Sequence, residues 1–112
     1  MLKYNFHDSL IEDVNYIPNE AKLEIKIKLC NWMQSDYKDS DPEMLTMHMI
    51  FDGVEKFEMS TENYVFNSNE ILDVIELDDR TVKIIFLTEN DVKTIIVTAE
   101  RVDYAIYENE QS

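Results

Sequence analysis

Residues 22 to 29 read Lys-Leu-Glu-Ile-Lys-Ile-Lys-Leu, a strict alternation of charged and apolar side chains. Successive side chains of a β-strand point to opposite faces, so one face of this segment is apolar and the other is charged. The alternation therefore predicts a strand with one buried side and one solvent-facing side. A turn at Pro18 and a weaker strand pattern at 10–17 precede it, which predicts an antiparallel hairpin.

Similar patterns continue along the chain. Further strands are predicted at 45–51, 54–59, 71–77, 81–88 and 92–99. Asp52-Gly53 favours a type I′ hairpin turn between the first two of these, because both central residues of that turn adopt positive φ. Gly53 is the only glycine, so other positions with positive φ are expected to hold Asn or Asp. The alternation at 102–106 is either an eighth strand or the far side of a bulge in a long last strand.

Short strands at even spacing with turns between them are typical of a β-sandwich or barrel. We therefore expect one domain over residues 1–112 that is all-β, or a β-dominated α+β fold. It would be an antiparallel meander of about seven to eight strands, forming a sandwich or a partly open barrel. The apolar residues of three strands are expected in its core: Leu23, Ile25, Ile27, Leu29, Met47, Met49, Phe51, Val82, Ile84 and Phe86.

The charge of the chain restricts its partners. There are 24 acidic and 10 basic residues, a formal net charge of −14. This field repels phosphates and anionic lipids, so we expect no nucleic-acid partner and no membrane partner. It attracts a basic protein, although acidity can also serve solubility alone. The single cysteine, Cys30, argues for a reducing compartment, and neither a signal peptide nor a membrane span is visible, so a cytoplasmic protein is expected.

Catalytic and cofactor motifs are not recognisable. One glycine cannot build a phosphate loop, and one cysteine with two histidines cannot complete a closed zinc site, so we expect no cofactor, no metal and no enzyme. His7-Asp8-Ser9 contains the residue types of a catalytic triad, but a triad is assembled from distant segments. We therefore expect Asp8 or Ser9 to accept backbone N–H groups at a turn and His7 to pack locally, while a functional role of this motif stays open.

Two polar loops combine aromatic and acidic residues. The candidate partner-binding residues are Trp32, Asp36, Tyr37, Asp39 and Asp41 in the first loop, and Tyr64 and Phe66 in the second. Large aromatic side chains on loops are frequent anchors of protein interfaces. The alternative is that these aromatic residues pack into the domain and close the ends of the sheet. A calcium site is disfavoured because the first loop lacks the glycine and the ligand spacing of an EF-hand.

A series of short motifs in the first half of the chain resembles a known family. Phe6-His7-Asp8-Ser9-Leu10-Ile11 is followed by the alternating strand 23–27 and then by Ile50-Phe51-Asp52-Gly53-Val54. This order resembles the bacterial immunity proteins of polymorphic-toxin systems in the set labelled immunity protein 50. The resemblance implies a protein that binds and neutralises a toxin delivered by a neighbouring cell, and it assigns no toxin-contacting residue.

Two classes of function follow from these observations. The first is a non-enzymatic intracellular binding protein, such as an immunity protein, that occludes a basic toxin through an acidic and aromatic loop surface. The second is a small-ligand-binding or self-associating β domain. A deep apolar pocket would favour ligand binding, and exposed strand edges would favour a homodimer. An enzyme would need a cleft with a carboxylate or histidine whose pKa is perturbed.

Overall fold

The structure is a computed structural model that describes residues 2–61 and 64–107. These residues form eight strands: β1 (Leu10–Ile17), β2 (Lys22–Cys30), β3 (Met44–Asp52), β4 (Lys56–Met59), β5 (Asn69–Asp78), β6 (Thr81–Leu87), β7 (Val92–Thr98) and β8 (Arg101–Tyr107). Short 3-10 turns lie at Pro18–Glu20 and Asn31–Met33. Neither of these described helical turns has the length or the apolar character needed to cross a membrane. The all-β class is confirmed, and the last alternating segment is a separate strand.

All of these strands belong to one open antiparallel sheet in the order β4-β7-β6-β5-β1-β2-β3-β8. The sheet has a β2 half (β1, β2, β3 and β8) and a β6 half (β4, β5, β6 and β7). Each half contains a three-stranded meander with one additional strand at its outer edge. Between β1 and β5, the strands that join the halves, Leu10 pairs with Glu70 and Ile11 pairs with Asn69. The junction between the two halves is therefore short.

One hydrophobic core contains side chains from both halves. All ten predicted core residues are buried, and each is at most 1% exposed. The core also includes Phe6, Ile11, Ile71, Ile95 and Val97. Each fully buried side chain of this size stabilises the fold by about 1.5–3 kcal/mol. Because both halves contribute to one core, they face each other like the layers of a sandwich.

The prediction of a hairpin at Asp52-Gly53 was wrong. Gly53 has a φ of 66°, as a turn glycine should, but Asp52 is not among the described residues with positive φ. β4 pairs with β7, and the β3 edge is instead occupied by β8. β8 has seven residues where β4 has four, so it covers more of β3 than β4 could. The chain after Gly53 crosses to the β6 half, where the N–H of Glu55 donates to the carbonyl of Thr98 at 2.8 Å.

Positive φ at residues other than glycine occurs at Asp8, Ala21 and Ser68 in the described part of the chain. Asp8 follows the expected preference, whereas Ala21 and Ser68 do not. The N–H of Ala21 donates to the carbonyl of Pro18 and its carbonyl accepts the N–H of Val54. The bond that closes the preceding 3-10 turn and the bond from the distant Val54 therefore hold Ala21 in a conformation that costs roughly 1–2 kcal/mol.

Candidate functional site

The His7-Asp8-Ser9 motif lies where the two halves of the sheet meet. The N–H of Asp8 donates to the carbonyl of Ile71 at 2.9 Å, and the N–H of Ile71 donates to the carbonyl of Ser9 at 2.7 Å. These bonds continue the short β1–β5 pairing beyond the start of β1. The motif is therefore part of the junction between the two halves.

Ser9 has a structural position within this motif. Its side chain is completely buried, and its Oγ accepts the backbone N–H of Cys30 at 2.9 Å. Because Cys30 ends β2, this bond ties the start of β1 to the end of its neighbour. Acceptance of a backbone N–H was the predicted role, but the donor lies on an adjacent strand and not in the local turn.

His7, Asp8 and Glu70 form a titratable cluster at the surface. His7 Nδ1 lies 2.6 Å from the carbonyl of Leu72, and His7 Nε2 lies 3.5 Å from Asp8 Oδ1. The bond to Leu72 and then the charge of Asp8 raise the pKa of His7 above its usual 6.5. A hydrogen bond with Asp8, followed by desolvation and the Asp8 charge, raises the pKa of Glu70. The two carboxyl groups therefore lie close to each other.

The exposed side chain of Trp32 lies beside this cluster. Burial, followed by the charges of Asp8 and Glu43, raises the pKa of the Cys30 thiol, so both carboxylates lie near this thiol. Trp32 partly offsets this rise in the pKa, so its side chain also lies near the thiol. Its backbone N–H donates to the carbonyl of Glu43 at 3.3 Å, and 51% of the residue is exposed. Trp32 is thus an exposed aromatic residue whose neighbour Cys30 lies near carboxylates from two separate segments.

Hydrogen bonds hold the first loop against the N-terminal segment. Gln34 Nε2 donates to the carbonyl of Asn5 at 2.7 Å, and the N–H of Asn5 donates to Gln34 Oε1 at 2.9 Å. Asn31 Nδ2 donates to the carbonyl of Pro42 at 2.8 Å, which joins the two ends of the loop. Asp36 lies exposed between these anchors. The loop is therefore held at its base while Asp36 and Asp39 face solvent.

Tyr37 lies among the remaining carboxylates of the first loop. Its hydroxyl donates to the carbonyl of Asp41 at 3.3 Å, and its side chain is half-buried. Desolvation and then the charges of Glu43, Asp39 and Asp41 raise the pKa of Tyr37. Together with the cluster at the junction, this loop forms one acidic region that we call the Trp32 surface: Asp8, Trp32, Tyr37, Asp39, Asp41, Glu43 and Glu70.

The aromatic residues of the second loop lie on the β6 half and pack onto the core. The ring centroids of Tyr64 and Phe66 are 5.0 Å apart, and those of Phe66 and Phe86 are 5.3 Å apart. Asn69 Nδ2 donates to the Tyr64 hydroxyl at 2.7 Å. For Tyr64 and Phe66, the alternative that loop aromatics close the end of the sheet therefore describes the structure. For Trp32 it does not.

An open groove of about 470 Å³ lies beside Tyr64. Its lining includes Asn67, Asn69, Thr88 and Asn90. Small-molecule sites are usually concave and mainly apolar. This polar groove does not match the deep apolar pocket on which the small-ligand alternative depends. Within residues 2–61 and 64–107, no group of three or more His, Cys, Asp or Glu side chains is placed to hold a metal ion.

Two acidic residues of the Trp32 surface were not predicted from the sequence. Glu43 directly precedes β3, and Glu70 is the second residue of β5. Glu70 reaches Asp8 only because β5 pairs with the start of β1. A local pattern carries no signal for this contact, because the two residues lie in different halves of the sheet.

Comparison with known proteins found no matching family model, no matching curated protein and no matching solved structure. The similarity of the first half of the chain to immunity proteins therefore stays a prediction. Evidence for a function comes from the geometry and the charge of the surface.

Proposed function

We propose that this chain is a binding protein that covers a basic protein partner with the Trp32 surface. A toxin that is neutralised by occlusion is such a partner, as the resemblance to immunity proteins implies. The observation that carries the proposal is the position of Trp32, which is 51% exposed and whose backbone N–H donates to the carbonyl of Glu43, the acidic residue before β3. Binding would block the partner sterically and requires no chemical step.

An exposed tryptophan that is already held in place suits an interface anchor. Tryptophan is enriched among the few residues that dominate binding energy. The 3-10 turn and the backbone bond to Glu43 fix the main chain of Trp32 before binding, so less conformational entropy is lost in the complex. Its indole face can also accept a cationic side chain, which contributes about 0.5–2 kcal/mol.

The electrostatics of the surface favour a cationic partner. Asp8 and Glu70 lie so close that the pKa of Glu70 is raised, which means that two negative charges there repel each other. A lysine or arginine of the partner would relieve this repulsion and gain charge-assisted hydrogen bonds. The net charge of −14 would in addition steer a basic protein toward the chain and accelerate association at low salt.

The experiment is a tagged pull-down from lysate of the source cells with three proteins: wild type, Trp32→Ala and Leu77→Ala. Leu77 is a matched control because it is a large apolar residue of β5 that is 53% exposed and lies outside the Trp32 surface. We expect wild type and Leu77→Ala to retain the same basic protein in a low-salt wash. Trp32→Ala should lose it, because the anchor is missing.

Association kinetics with the purified partner then test the charge contribution. The double variant Asp39→Asn/Glu43→Gln should slow association at low salt, whereas Glu55→Gln/Glu58→Gln, which neutralises two exposed acids on the β6 half, should slow it less. Equal affinity of wild type and Trp32→Ala for the partner would disprove the proposed surface. Retention of an acidic partner would disprove its proposed chemistry.

A further inference from the structure

We propose that β8 is the interface of a symmetric dimer, in which its outer edge pairs antiparallel with β8 of a second copy of this chain. β8 stands at one end of the described strand order and has β3 as its neighbour. An edge strand offers a row of backbone N–H and C=O groups to another strand. This inference does not depend on the Trp32 surface or on its partner.

The two edges of the sheet differ in how well they are protected. β4, at the opposite edge, has only four residues, and its Lys56 and Glu58 are exposed. Short length and charged side chains are the usual means by which proteins block edge pairing. β8 has seven residues, contains no lysine or proline, and pairs with β3 without a register shift. It is therefore the edge that is suited to accept another strand.

The sequence of β8 is complementary to itself in the antiparallel direction. A seven-residue strand pairs with its own copy over its full length in only one such register, centred here on position 104. In that register Val102 lies opposite Ile106 of the second copy, and each pair occurs twice by symmetry. Arg101 lies opposite Tyr107, where a cation and an aromatic ring attract each other.

Charge also favours this register. Asp103 lies opposite Ala105 of the second copy, so within Arg101–Tyr107 no two like charges face each other. A register centred on position 103 would instead place the two Asp103 carboxylates together, which destabilises a strand pair. β8 has one positive residue, Arg101, and one negative residue, so it is neutral in a chain of net charge −14. Contact through this strand therefore adds little local repulsion between two acidic molecules.

The side chains along this edge are partly available for a second strand. Ile106 is 41% exposed and Tyr107 is 44% exposed. The Tyr107 hydroxyl lies 2.5 Å from His48 Nδ1, which holds its ring on the outer face of the sheet. The Tyr104 side chain already packs against Tyr4, with ring centroids 5.1 Å apart. The proposed pairing uses the backbone of β8 and the side chains on both sides of position 104.

Sedimentation velocity of the full chain tests the dimer at concentrations from about 1 µM to about 500 µM. High concentrations are included because an interface between two seven-residue strands is small and is expected to be weak. The variants are Ala105→Asp and Ala105→Lys, because position 105 faces Asp103 of the second copy. The first variant creates two like-charge pairs and should raise the dimer dissociation constant roughly 2- to 30-fold. The second creates two opposite-charge pairs and should lower it by a similar factor.

Matched controls separate local pairing from total charge. Lys56→Ala changes the net charge by the same amount as Ala105→Asp, and Glu58→Ala by the same amount as Ala105→Lys, but both alter the β4 edge. Neither control should change the dissociation constant as strongly as the matching β8 variant. Circular dichroism of each variant verifies its fold.

Three outcomes would overturn the inference. One is a monomer at every concentration for both wild type and Ala105→Lys. Another is a dimer that responds equally to the two Ala105 variants. If Ala105→Asp does not fold, Ile106→Ser provides the test, because this exposed residue can be exchanged with little effect on the core. A weaker dimer of Ile106→Ser supports the pairing, and an unchanged dimer overturns it.

Discussion

Replacement of Ser9 with Ala is expected to destabilise the fold more than the loss of an ordinary surface hydrogen bond. The Ser9 hydroxyl is completely buried and accepts the N–H of Cys30 at 2.9 Å. Without this acceptor, a buried N–H at the end of β2 loses its partner. An unsatisfied buried donor costs about 1–3 kcal/mol, and we expect the free energy of unfolding to fall by that amount.

Ser60 provides a matched control for this change. Its hydroxyl also accepts a backbone N–H, that of Thr94 at 2.8 Å, but Ser60 is exposed. Water can replace the hydroxyl there, so Ser60→Ala should cost about 0.5 kcal/mol or less. Urea unfolding followed by circular dichroism measures both free energies, and equal m-values would show that the unfolding transition itself is unchanged.

Equal losses of stability for Ser9→Ala and Ser60→Ala would refute this reasoning, since burial would then not determine the cost. A loss of function without a loss of stability would also contradict the structural role of Ser9. If Ser9→Ala kept its stability but lost a binding or catalytic activity, the Ser9 hydroxyl would have a functional role and not a structural one.

Two further substitutions test the turn and the carboxyl pair. Gly53→Ala should lower the free energy of unfolding by about 1–2 kcal/mol, because φ is +66° and the new Cβ would lie 2.6 Å from Cγ of Glu100. Adding Glu100→Ala should recover only the part of this loss that comes from the Glu100 contact, because the positive φ remains. A wild-type melting temperature for Gly53→Ala alone would contradict the expectation. Glu70→Gln should stabilise the protein at pH 7, because the raised pKa of Glu70 means that the folded state binds this proton more tightly than the unfolded state. Wild type therefore loses stability as the pH rises from the ordinary value of 4.5 through the raised one. The gain in stability of Glu70→Gln over wild type should disappear below about pH 4, where Glu70 is protonated in both states. Thermal melts measure this gain, and a gain that does not change with pH would rule out the Asp8–Glu70 interaction as its cause.

The strands were predictable because their side-chain periodicity is clear. In β2 and β3 the alternate positions are apolar, and Leu23, Ile25, Met47 and Met49 are all completely buried. Strand pairing was harder to predict from the sequence. The alternation of side chains identifies a strand and its buried face, but it does not say which other strand pairs with it. The Asp52-Gly53 dipeptide favoured a local hairpin, whereas the structure pairs β3 with β8.

The candidate site was only partly predictable for the same reason. The sequence suggested similar roles for Trp32 and Phe66, which are both aromatic residues in polar loops. Their environments differ because Phe66 packs against Phe86 of β6, whereas Trp32 is exposed and its backbone N–H donates to Glu43. Long-range pairing also brings Glu70 to the site, and no local rule predicts such a contact.

The division of the sheet has a consequence for the order of folding events. The β6 half is one uninterrupted segment, 56–98, which separates β3 from β8 in the chain. Pairing β8 with β3 closes a loop around this whole segment, and such non-local steps carry a high entropic cost and slow folding. We therefore expect β8 to dock late. Until it does, the edge of β3 beside Met47, Met49 and Phe51 remains unpaired, so β3 is the strand through which partly folded chains would aggregate.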